Sequence, residues 1–338
     1  MSALEAFGAI DVHAHLAPRD ALARLGWLRV ADGETAVRVG DRWHAVPRAL
    51  VDPDALLEDG AARGIGVRVV SLPPFLLRHD LPPDDGVAYS RAMNDGLALL
   101  ARGAGGRLRV LATVPLQDPA AAAAEARRAC DALGCDGVAI AASVAGRVEL
   151  DDPALAPFWE ACERLNALVF LHPHDVAGAA RMQRYHLRNL VGNPTETALG
   201  AAHLIFGGVL ARYPGLRVLL AHGGGALPWL LGRLDRGFAV RPECSGAAVP
   251  PSQQARRFFY DTLVFSPPAL RALVEWVGPA QVVLGTDAPF DMSDPYPVTT
   301  VAQALGDADA RHAVLAGNAA RLLTSAQGGG PPPPAPSA

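Results

Sequence analysis

Residues 8 to 16 read G-A-I-D-V-H-A-H-L, an apolar run that ends on two histidines separated by one alanine. Side chains alternate across a strand, so His13 and His15 leave the same face, near enough to share one metal ion. On its own a strand-end His-x-His is equally a solvated polar tip. Three more apolar runs end alike: A-L-V-F-L-H-P-H on His172 and His174, R-V-L-L-A-H-G-G-G on His222, and V-V-L-G-T-D-A-P-F on Asp287. Polar tips scattered over the chain need a fold that gathers strand ends.

Between these runs a strand–helix rhythm repeats. R-V-V-S-L-P-P, R-L-R-V-L-A-T-V-P, D-G-V-A-I-A-A and F-F-Y-D-T-L-V complete a set of eight apolar strands. Helix starts are marked by Asp52-Pro53, Asp118-Pro119, Asp152-Pro153 and Asn193-Pro194. Each is a capping side chain followed by a proline that fits the first turn. Short strands apolar throughout, separated by amphipathic helices, indicate a parallel sheet buried on both faces. Eight of them predict an α/β protein built as a closed (β/α)8 TIM barrel, with chemistry at the carboxyl ends of the strands. A doubly wound open sheet is the alternative, but no G-x-G-x-x-G follows the first strand. Residues 1–324 are read as one barrel, in which 17–51 form an inserted β flap with strand-like pieces at 36–39 and 42–46. Residues 325–338, rich in glycine and proline, are read as a disordered tail.

Composition narrows the function. The chain has 338 residues, half of them hydrophobic and 19% charged. That is enough for a large core. A formal charge of −4 gives no basic field for nucleic acid. No apolar run is long enough to span a bilayer. The expectation is a soluble cytoplasmic protein. Cys130, Cys135, Cys162 and Cys244 lack CxxC spacing and are read as reduced structural thiols. All 30 basic residues are arginine. Without lysine, Schiff-base chemistry, a Walker-type phosphate lysine and a lysine carbamate bridging two metals are excluded.

His13, His15, His172 and Asp287 converging at a barrel mouth would offer three nitrogens and one carboxylate, a set suited to Zn²⁺ with an open position, while Mn²⁺, Fe²⁺ or Co²⁺ also fit. The fourth strand ends in small and apolar residues, so one metal rather than two is expected. His222 is then left as a base beside the metal-bound water, the alternative being a core histidine before a glycine turn. Gly223 to Gly225 are read as that tight turn. His79, His186, His203 and His312 are assigned surface or packing roles, His79 in a loop and the others on helices.

In order along residues 8 to 324, D-V-H-A-H, F-L-H-P-H-D, G-N-P-T-E-T, L-A-H-G-G-G-A-L-P, G-F-A-V-R-P and L-G-T-D-A-P-F resemble the amidohydrolase superfamily, above all its decarboxylases related to 2-amino-3-carboxymuconate 6-semialdehyde decarboxylase. The resemblance implies Zn²⁺ on the matches of His13, His15, His172 and Asp287, with His222 as acid/base. It also implies a homodimer in which the match of Arg241 reaches a substrate carboxylate in the neighbouring subunit. The implied reaction is non-oxidative loss of CO₂ from a small unsaturated or aromatic acid, begun by metal-bound hydroxide that His222 activates. A hydrolase or hydratase of an ester, lactone or alkene acid is the alternative, and a non-catalytic barrel a third reading. Where the family has a second substrate arginine in the flap, this chain has His44 or Ala45, with Arg42 and Arg48 on either side. His174 and Phe290 are expected to touch substrate.

Overall fold

Ala9–His15 (β1) is a strand buried at all seven residues. A sheet covered on both faces requires this. The computed structural model describes residues 2–324 except 32, 245 and 248, so the expected tail at 325–338 lies outside the described residues. After β1 come a short helix, Arg19–Arg24, and three antiparallel strands, Leu28–Ala31 (β2), Glu34–Val39 (β3) and Arg42–Val46 (β4). This insert begins its sheet earlier than the sequence suggested. L-R-V-A alternates too weakly to read as a strand until it pairs with β3. Trp27 anchors the insert: its ring meets Tyr89 at 5.5 Å and carries the Arg78 guanidinium at 5.0 Å.

The remaining strands are Ile65–Ser71 (β5), Leu108–Thr113 (β6), Gly137–Ala141 (β7), Leu168–His172 (β8), Arg217–Leu220 (β9), Phe259–Asp261 (β10) and Val282–Val283 (β11). With β1 they form one parallel sheet in the order β1-β5-β6-β7-β8-β9-β10-β11. A parallel bridge between Ala14 and Ala288, and Val12 N–H donating to Leu284 O at 2.8 Å, bring the two edges together. The product is a (β/α)8 barrel. Gly137 opens β7 because a Cβ there would lie 1.9 Å from Leu168 O, inside the neighbouring strand.

Two of the four expected helix starts are capped α-helices. Asp152 instead caps a 3₁₀ turn, Pro153–Leu155, ahead of the helix Ala156–Arg164. Asn193 caps nothing, because helical backbone runs into it from a π segment, Arg188–Gly192. Asp52 accepts from Asp54 and Ala55 N–H, and Asp118 from Ala121 N–H, each before a proline. Such a cap contributes about 1 kcal/mol. Gly134, at φ 74°, closes the second of these helices in a left-handed turn. Two helices differ from expectation. The one beginning at Asn193 stops at Phe206, since Gly208 turns left-handed (φ 71°) before a separate turn, Val209–Arg212. The last is interrupted by a π segment, Ala313–Gly317. The ladder of β11 is also shorter than V-V-L-G-T-D suggested, for the chain bends beyond Gly285 to reach Asp287 at φ 62°. No described helix is long and apolar enough to cross a membrane.

Candidate metal centre at the barrel mouth

At the carboxyl end of the sheet four imidazoles converge on Asp287. Its Oδ1 lies 3.0 Å from His15 Nε2 and 3.4 Å from His13 Nε2, and its Oδ2 lies 3.5 Å from His222 Nε2. The His172 ring centroid is 5.1 Å from those of His13 and His222 and 5.2 Å from that of His15. His13, His172, His222 and Asp287 each offer a ligand atom, all within 4.8 Å of one another. His222 thus stands inside the cluster rather than behind it, and His15 joins through its contact with Asp287.

The second nitrogen of each ring separates these histidines into two kinds. Nδ1 of His13 faces Asp261 Oδ2 at 2.7 Å, that of His15 faces Leu72 O at 3.2 Å, and that of His172 faces Pro173 O at 3.0 Å. A carbonyl or carboxylate only accepts, so each Nδ1 carries a proton, and in the neutral ring each Nε2 presents a lone pair. All three Nε2 atoms, and Asp287 Oδ1, are buried with no hydrogen-bond partner. Acceptors facing acceptors in a dry pocket fit a shared cation, and tying the far nitrogen is how metal-binding imidazoles are oriented. His222 differs: its Nδ1 is buried without a partner, so no neighbour fixes its tautomer.

Charge sets His13 apart from the other two: beside Asp287 and Asp261 its imidazolium is favoured, and a cation bound there would displace the Nε2 proton. Burial opposes protonation of His13, but Asp287 and Asp261 outweigh it and raise it to about 10. Burial holds His15 and His172 below the usual imidazole value, which keeps them neutral ligands. Burial alone would raise Asp287, yet His13, His15 and His222 hold it well below the usual carboxylate range. The donor set is two neutral imidazoles, one imidazole drawn to positive charge, and an anion.

Asp261, at the end of β10, was not singled out in the sequence. Fully buried, it accepts from four donors: His13 Nδ1 and His222 N–H on Oδ2, and the Gly223 and Leu263 N–H groups on Oδ1 at 2.7 and 3.0 Å. It therefore braces both the first histidine and the turn that carries His222. That turn needs bracing, because His222 and Asp287 are both left-handed, at φ 57° and 62°. Such a conformation is costly for a side chain larger than glycine. The signal was present: F-F-Y-D ends on an acid as the other strands end on their polar tips.

Two cavities flank the cluster. One of about 300 Å³ opens onto His222 and Asp287 and is walled by Asn189, Trp229, Phe265 and Trp276. The other, about 770 Å³, is lined by His174, His79, Phe75 and Arg147 but by no residue of the cluster. His174 thus lines a different cavity from His222. The Phe290 ring lies 5.4 Å from His15 and 6.3 Å from Phe75. Arg241 is exposed and pairs with Glu243 at 2.7 Å, away from both cavities of its own chain. In the insert Arg42 and His44 are exposed, and Arg48 is engaged by Asp52 at 2.8 Å. His79 is buried in its loop, the packing alternative of the two expected for it, and His186 lies in a turn, not a helix.

Comparison with known proteins gives the family and the fold. The amidohydrolase family model matches residues 10–324. A 2-amino-3-carboxymuconate-6-semialdehyde decarboxylase of Dictyostelium discoideum is 33% identical over 85% of this chain and 83% of its own. A 6-methylsalicylic acid decarboxylase of Penicillium expansum is 30% identical over 83% of this chain and 84% of its own. Among solved structures, 5-carboxyvanillate decarboxylase from Sphingomonas paucimobilis superposes with a TM-score of 0.82 at 26% identity, covering 94% of this chain and 99% of that one. The protein is a member of the amidohydrolase family.

Proposed function

We propose that the protein is a metal-dependent, non-oxidative decarboxylase of a small unsaturated or aromatic carboxylic acid. The observation that carries this is the ring of three imidazoles with anchored Nδ1 and free Nε2 about Asp287, beside an unanchored His222 at the floor of an aromatic-walled cavity. The relatives named above are decarboxylases of such acids.

His13, His15, His172 and Asp287 hold one divalent cation, which we take to be Zn²⁺. When bound it supplies Lewis-acid polarisation of a substrate oxygen. Losing CO₂ leaves an electron pair on the carbon that bore it, and that carbon needs a proton. His222, whose Nε2 faces Asp287 Oδ2, holds and delivers that proton. Trp229, Phe265 and Trp276 offer flat surfaces to a conjugated acid.

Arg241, exposed and free of either cavity of its own chain, is assigned to bind the substrate carboxylate of a neighbouring subunit in a homodimer. The exposed apolar side chains Tyr185, Leu190, Val191, Trp229 and Leu230 supply a face for that neighbour. Phe290 bounds the ring site from the His15 side, and His174 is assigned to the outer part of a larger substrate. The insert at 17–51 is assigned as the flap of the barrel. Four free cysteines agree with a reducing, cytoplasmic setting.

The test is a screen of aromatic and muconate carboxylic acids against the metal-loaded enzyme, reading CO₂. Release of CO₂ supports the proposal; release of acid from esters or lactones, with no CO₂ from any acid, supports a hydrolase instead.

A further inference from the structure

The segment that carries Asp287 has little ladder beneath it, since β11 adds only Val282 and Val283 to the sheet. A circuit of side chains holds it instead. Thr286 Oγ1 donates to Asp11 Oδ2 at 2.6 Å and accepts from Ala288 N–H at 3.2 Å, while Thr286 N–H donates to Asp11 Oδ1 at 3.1 Å. That Oδ1 also accepts from His13 N–H at 3.1 Å, so one buried carboxylate serves both strands that bear ligands.

From Asp11 the circuit leaves the site. Arg68, wholly buried, sets Nε 3.5 Å from Asp11 Oδ2 and donates from Nη2 to Asp59 Oδ2 at 2.8 Å. Asp59 Oδ1 accepts from Arg63 Nε at 3.0 Å and Nη2 at 2.8 Å. Arg63 Nη1 then donates to Ser293 Oγ at 3.0 Å and to Asp294 O at 2.9 Å. Asp294 N–H donates to Thr286 O at 3.0 Å, which closes the circuit where it began. The loop from Thr286 to Asp294, with Asp287 and Phe290 on it, is thereby gripped at both ends.

We propose that Asp11, Asp59, Arg63 and Arg68 are positioning residues of the metal centre: through Thr286 and Asp294 they set the loop that aims Asp287 at the three imidazoles. Arg63 is the informative member. It touches no residue of the cluster, yet its forked guanidinium joins Asp59, on the helix Pro53–Ala62, to the far end of the loop. A single-headed cation cannot make that span. The proposal rests on the metal-centre reading above.

Co²⁺ is the probe, with its dissociation constant read by chelator competition and its coordination by visible absorption. Arg63→Met and Thr286→Val should each weaken Co²⁺ binding at least tenfold and alter its spectrum. Val209→Ala, which trims a buried side chain elsewhere, should lower the thermal midpoint and leave both readouts unchanged. If Arg63→Met and Thr286→Val bind Co²⁺ as the wild type does, with the same spectrum, the circuit is only structural and the proposal is overturned, whatever their thermal midpoints. A wild-type protein that takes up no Co²⁺ overturns the metal-centre reading together with this one.

Discussion

Asp261 and His13 stand 248 residues apart in the chain, and their side chains meet at 2.7 Å with neither exposed to solvent. Because the same carboxylate also accepts from the His222 and Gly223 N–H groups, His13, a proposed cation ligand, and the turn of His222, the proposed acid/base, share one support. Asn at this position has the right shape but one accepting oxygen for four donors, and its amide N–H₂ faces N–H groups. Asp261→Asn should weaken metal binding about 10–100-fold, measured by chelator competition. Unchanged affinity would show that His13 does not depend on this contact.

His222 lacks the anchored Nδ1 of His13, His15 and His172. His222→Ala is therefore expected to keep the metal and lose turnover by about 10²–10⁴-fold. His172→Ala or Asp287→Ala should lose metal and turnover together. Metal content per chain, measured beside kcat, separates the two classes, and a fully active His222→Ala enzyme would contradict the assignment.

Gly285 packs between the ends of β1 and β10. A Cβ there would lie 2.7 Å from Asp261 Cβ and 2.9 Å from His13 Cβ, and neither rigid side chain can yield. Gly285→Ala should cost about 1–3 kcal/mol of stability by overpacking and reduce metal occupancy as the Asp261 to His13 contact is forced apart. Urea unfolding and metal analysis of the purified variant check both halves.

His79 gives a pH signature independent of the metal ligands. It is pushed down to about 4, chiefly by burial and then by His174 nearby. An unfolded chain protonates this imidazole near 6.5, so between about pH 6.5 and 4 the unfolded state binds more protons and stability falls as pH drops. The full loss attributable to His79 is about 3 kcal/mol below pH 4. His79→Leu should therefore lose less stability than wild type between pH 7.5 and 4.5, read as urea midpoints at both values; equal losses would refute the account of this residue.

The gathering of polar strand ends was legible because strand periodicity is short-range: that His13 and His15 share a face, and that His172 and Asp287 end apolar runs, needs only the rule that side chains alternate. The barrel was legible for a similar reason, from the recurring Asp-Pro caps and buried strands. Asp261 escaped because one acid after Phe-Phe-Tyr is common at any strand end, and its role exists only through His13, far away in sequence. His79 was left between surface and packing because loop position says nothing of burial. That His174 and His222 line different cavities is a matter of tertiary packing, which no local pattern encodes.

The central claim is that one divalent cation, held by His13, His15, His172 and Asp287, supports decarboxylation. Stripping the enzyme with a chelator and adding Zn²⁺ back while following CO₂ release from an acid it accepts tests this most directly. Activity should vanish on stripping and return linearly to a break at one cation per chain. Full activity in the stripped protein, or a break at two, would contradict the account.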